Sequence, residues 1–144
     1  MDKKRHGVLS LSLALMVFSV SALAEAPLTK EQVTELVKGA KAEWNKPMKL
    51  QGIQGTVGGH RLVTTHFLDD GSIKETWAAY GNRSRSQETG EWWVEDDGQL
   101  CLKKKKRGKC SFLVPAQDGG YDFYERYTQH EQVIRNRRFD RITR

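Results

Sequence analysis

The chain has 144 residues, with 24 Lys and Arg against 18 Asp and Glu, a formal net charge of +6 and 38% hydrophobic residues. That length supports one domain with a modest core. After the N-terminal run there is no second long apolar stretch, which argues against an integral membrane protein. The basic excess is too mild to point to nucleic acid.

Residues 1–24 read as a secretory leader. Lys3, Lys4 and Arg5 form a short basic start, and residues 8–20 are apolar apart from serines. Ser21-Ala22-Leu23-Ala24 ends in the small-x-small pattern of a cleavage site, so removal after Ala24 is expected. The apolar run is too short to span a membrane as a helix. No cysteine follows it to carry a lipid anchor. Residues 25–144 are then one domain, periplasmic or secreted, with fraying expected over residues 140–144.

The first element of that domain is a helix over residues 28–39. Thr29 is a good N-cap, Gln32 completes a capping box, and Leu28 with Val33 forms a hydrophobic staple. Val33, Leu36, Val37 and Ala40 make one apolar stripe, and Gly39 is a natural stop. So short a helix must dock on an end or face of a sheet to persist. Residues 41–59 are ambiguous. Trp44 reads as a core or docking residue, Pro47 breaks a helix, and the glycines at 52, 55, 58 and 59 suggest turns or a bent strand.

From His60 the residues alternate, with Arg61, Val63, Thr65 and Phe67 on one face. Asp69-Asp70-Gly71 turns the chain, and residues 72–80 return with Ile73 and Trp77 on one face, a hairpin over 60–80. Residues 81–90 are polar and serine-rich and read as a loop. Residues 90–124 form a β-meander around turns at Asp97-Gly98, in the basic run 103–109, and at Asp118-Gly119-Gly120. In its first strand Trp92 and Val94 share a face, opposite Trp93. A last strand from Val133 to Phe139 closes the sheet.

Cys101 and Cys110, the only cysteines, flank the middle turn. Two cysteines in an exported chain normally pair. If that turn centres between Lys105 and Lys106 they lie directly opposite each other, within disulfide reach. A redox role is disfavoured, because the spacing is not C-x-x-C and no βαβ pattern accompanies it. Lys103, Lys104, Lys105, Lys106, Arg107 and Lys109 are expected to project from the clamped turn as anion contacts. The plainer role of such a tip is to keep the hairpin edge from aggregating.

The aromatics Trp77, Trp92, Trp93, Tyr121 and Phe123 are core residues or, in a small barrel with aromatics on both faces, the lining of a ligand cavity. His60 and His66 stand about 20 Å apart on an extended strand, too far to share a metal ion. The aspartates at 69, 70, 96, 97 and 118 are explained by turn chemistry. No catalytic, metal or phosphate-binding motif is found, so no catalytic residue, metal ligand or cofactor is assigned.

The series Gly90-Glu91-Trp92-x-Val94, Gln99-Leu100-Cys101, Cys110-x-Phe112 and Asp118-Gly119-x-Tyr121 resembles an exported bacterial family known as domain of unknown function nine-nine-five. Leu28-Thr29 and Asp70-Gly71 match its opening helix segment and D-G hairpin. The resemblance spans residues 28–124, and the Trp–Cys–Cys core is its specific part. The family's turn between the cysteines is tighter and less basic than the lysine run here. The resemblance implies a lipocalin-like layout and transfers no activity.

The expected fold is therefore all-β: seven or eight antiparallel strands in a small lipocalin-like barrel or curved sheet, with one N-terminal helix. The expected function is a non-enzymatic binding or interaction protein of the bacterial cell envelope, taking a small apolar ligand or an anionic surface. Its partner would be a lipid or anionic envelope component, or an envelope protein, and not a nucleic acid. Two alternatives stand beside it: an inhibitor or accessory factor of another envelope protein, and, more weakly, a periplasmic enzyme using scattered His and Asp.

Overall fold

The computed structural model describes residues 26–52, 55–78 and 85–144, and side chains outside 47–60 and 78–86. The expected leader and its cleavage site lie outside the described residues. The elements are a helix, α1 (Lys30–Val37), and nine strands: β1 (Lys41–Gly52), β2 (Gly55–Phe67), β3 (Ser72–Ala78), β4 (Arg85–Val94), β5 (Leu100–Lys104), β6 (Arg107–Pro115), β7 (Tyr121–Tyr127), β8 (Gln132–Phe139) and β9 (Arg141–Thr143). Every pairing is antiparallel, in the order β8-β7-β6-β5-β4-β3-β2-β1-β9. The result is an all-β, strongly curled half-barrel with one short helix.

Two sequence expectations are corrected and one left open is decided. Residues 85–90, read as part of a polar loop, belong to β4, because β3 pairs them from Ser72↔Glu91 to Ala78↔Arg85; partner strands supply the order that polar composition does not. The ambiguous stretch 41–52 is a strand, held along its whole length by β2. Arg141–Thr143, expected to fray, pairs with Lys41–Glu43. There the chain bends at Asp140, whose N–H donates to the Glu43 carbonyl at 2.8 Å and whose carboxylate accepts from the Asn45 N–H at 3.0 Å. The two edges of the sheet thus meet at one end of the curl.

The core lies inside the curl. Phe67, Phe139, Ile73, Leu100, Leu113 and Val63 point inward with Val33 and Val37 of α1. Phe67 stands edge-on to both Trp92 and Phe139, with ring centroids 5.7 and 5.9 Å apart. The capping box forms as expected: Thr29 Oγ1 accepts from the Gln32 N–H, and Gln32 Oε1 accepts from the Thr29 N–H. The helix is then tied to the sheet at both ends, Leu28 N–H to the Leu113 carbonyl and Gly39 N–H to the Phe67 carbonyl, each 2.9 Å. Three turns repeat one device, in which an Asp accepts from the backbone N–H two residues on: Asp70 from Ser72, Asp97 from Gln99 and Asp118 from Gly120.

Candidate functional site

The meander hairpin positions the site. Lys105 and Lys106 form the turn between β5 and β6, so Lys104 pairs with Arg107 and Cys101 with Cys110. The two cysteines are joined by a disulfide, with Cα atoms 4.0 Å apart. With the hairpin register set, alternation decides which residues look into the curl. On β5 these are Leu100, Leu102 and Lys104, and across from them on β6 are Ser111, Lys109 and Arg107.

Those residues line a cleft of about 270 Å³ together with Phe123 of β7 and Arg135 and Arg137 of β8. Its floor is apolar: Leu100, Leu102 and Phe123 are nearly buried. Its walls carry five cations and, among the described residues, no carboxylate. The volume lies just below the range of roughly 300–1,000 Å³ usual for small-molecule sites.

Behind the cleft is a buried ionic knot. Glu75 is 4% exposed, accepts a 3.1 Å hydrogen bond from Thr65 Oγ1, and contacts Lys104 Nζ and Arg137 Nη2, the latter at 3.5 Å. Lys104 also lies 3.9 Å from Glu88. The Arg137 guanidinium stacks over Trp44 and stands near Phe123 and Phe139. Burial pushes the Arg137 guanidinium below the ordinary arginine range, and the Glu75 carboxylate opposes that push. The Nε and Nη2 of Arg137 and the Nε of Arg135 are buried with no hydrogen-bond partner among the described residues. Arg135 is otherwise held by the Cys110 carbonyl and by Glu125.

The anion-contact candidates divide. Lys104, Arg107 and Lys109 line the cleft. Lys103, Lys105 and Lys106 lie outside the cleft lining and, like Arg107 and Lys109, are exposed, with Lys103 near Glu91 and Lys105 near Glu88. The expectation that all six cations project outward is thus corrected at Lys104, because its phase matches Leu100 and Leu102 and a carboxylate waits inside.

The aromatic candidates divide as well. Phe123 lines the cleft. Trp92 is in the core, its indole N–H donating to the Leu68 carbonyl at 2.9 Å. Trp77 packs against the same core with Arg61 over its ring. Tyr121 lines a shallower pocket beside α1. Trp93 is on the opposite face from Trp92, beside the disulfide, and donates to Glu95 at 2.8 Å. Glu95 also lies 3.7 Å from Cys101 Sγ. That grouping holds no metal, since a disulfide sulfur is not a thiolate ligand.

Sequence reasoning did not single out Glu75, Arg135 or Arg137. The signal was available in the alternation: Glu75 falls between Ile73 and Trp77, and Arg135 and Arg137 fall in phase with Phe139. A charge on the apolar face of a strand marks a place where the interior is not simply filled.

No protein-family model matches the chain, no curated protein matches it, and no solved structure matches its fold.

Proposed function

We propose that this chain is a non-enzymatic binding protein of the bacterial cell envelope that holds a small, largely apolar ligand in the cleft of its half-barrel. The observation that carries the reading is an open cleft of about 270 Å³ floored by apolar Leu100, Leu102 and Phe123, which belong to the same buried cluster as Val33 and Val37 of α1. Apolar groups and cations hold and orient a ligand. General acid–base chemistry asks instead for a titratable pair within hydrogen-bond reach of a substrate. The disulfide fits an oxidising compartment, and no described helix is long and apolar enough to cross a membrane. Export through the leader at residues 1–24 belongs to the same proposal. So does membership of the exported family that the chain resembles, supported by the meander in which Trp92, Cys101 and Cys110 fall on adjacent strands.

Native mass spectrometry of the protein purified from its own envelope fraction tests the reading. A retained small molecule, lost on denaturation, is expected. A bare chain mass, with no thermal shift on adding envelope lipid extract, refutes it.

A further inference from the structure

We propose that the ligand is an amphipathic anion: a single apolar chain ending in a carboxylate or phosphate group. This rests on the reading of the cleft as a ligand site and adds the chemical class.

Two features of the lining favour an anionic end. The first is charge. Lys104 and Arg137 share Glu75, and Arg135 faces Glu125, but Arg107 and Lys109 have no ion-pair partner among the described residues. The second is orphaned donors. Arg137 Nε and Arg135 Nε are buried with no hydrogen-bond partner among the described residues, and Arg137 Nη2 meets Glu75 only as an ion pair at 3.5 Å. Buried polar groups are satisfied in nearly all proteins, and an orphan needs a reason. A guanidinium presents its donors as a flat fork that matches two oxygens of a carboxylate or phosphate.

The chain end follows from the floor. Leu100, Leu102 and Phe123 offer an anion's tail an apolar surface that a bare inorganic ion would leave wet. A neutral apolar guest would cover the floor and leave the Arg107 and Lys109 charges on the wall without a counter-charge. An extended anionic surface would meet the exposed Lys103, Lys105 and Lys106 at the tip rather than enter the cleft. The ligand that satisfies walls and floor together has both parts.

Isothermal titration of the disulfide-bonded protein at low salt tests this with four probes: decanoate, decyl phosphate, decanol and inorganic phosphate. Decanoate or decyl phosphate is expected to bind at least about tenfold tighter than decanol or inorganic phosphate. Which of the two binds tighter distinguishes a fatty-acid source from a phospholipid-derived one. In the double variant Arg107→Gln/Lys109→Gln, verified as folded by circular dichroism, the anion's advantage over decanol shrinks about tenfold. Equal binding of decanol and decanoate overturns the anion assignment and leaves the cleft reading standing. Inorganic phosphate binding as well as decyl phosphate overturns the amphipathic ligand. Binding of none of the chain-bearing probes overturns both. The four-probe comparison uses the unaltered protein and does not depend on the variant folding.

Discussion

The guanidinium carbon of Arg137 lies 4.4 Å from the centroid of the Trp44 ring, while Nη2 of the same arginine is 3.5 Å from Glu75 Oε2. One cation thus links β1, β3 and β8 inside the curl. Cation–π contacts contribute about 0.5–2 kcal/mol, more when dry.

Replacing Glu75 by Gln removes the one carboxylate that Arg137 and Lys104 share and leaves two partly buried cations facing each other. Breaking such a pair costs about 3 kcal/mol in urea unfolding. The double change Glu75→Leu/Arg137→Leu should recover most of that loss, because Arg137 leaves the interior together with its carboxylate while Lys104 keeps Glu88 at 3.9 Å. A single change as mild as a surface substitution would show that the knot is solvated in solution.

The Cys101–Cys110 bridge closes a loop with a sequence separation of 9. In the chain-entropy model, so short a loop stabilises by about 2.7 kcal/mol. The Cys101→Ala/Cys110→Ala variant should lose about that amount and keep its strand signature in far-ultraviolet circular dichroism. Loss of all β signal would mean that the hairpin cannot form its register unclamped.

Gly98 has a φ of +90°, and a Cβ there would come 2.7 Å from the carbonyl oxygen of Leu28. The turn after β4 therefore abuts the backbone that leads into α1. Gly98→Ala is expected to cost about 1–3 kcal/mol through backbone strain and the collision. Thr29→Ala, which removes only the cap, should cost about 1 kcal/mol. If the two variants unfold at the same urea concentration, the collision has been relieved by movement of the helix.

Asp118 is held below its ordinary pKa of 3.8, chiefly by hydrogen bonds from Arg138 and then by the Gly120 N–H. A carboxyl depressed on folding adds stability that is fully present above 3.8 and lost as pH falls through the folded-state value. Stability should therefore decline on acidification below that point, with Asp70 and Asp96, also depressed, contributing in the same direction. Asp118→Asn should unfold more readily at neutral pH and show a shallower decline in acid, read from urea midpoints across the pH range. An unchanged acid slope would mean that Arg138 does not hold Asp118 in solution.

Local signals carried much of this molecule. The Thr29–Gln32 box starts α1, the Asp-Gly pairs turn the strands, and the two-residue centre at Lys105-Lys106 sets Cys101 opposite Cys110, because each depends only on neighbours in the chain. Alternation showed that Val63, Thr65 and Phe67 share a face. It did not show that residues 85–90 form a strand, since a polar segment becomes one only when β3 offers a ladder of hydrogen bonds. Nor did it reveal the pairing of Arg141–Thr143 with β1, which depends on residues about a hundred positions apart meeting at Asp140. The cleft is a tertiary fact of the same kind. Leu100, Lys109, Phe123 and Arg137 come from four strands, and only the curl of the sheet turns their separate inward directions onto one space.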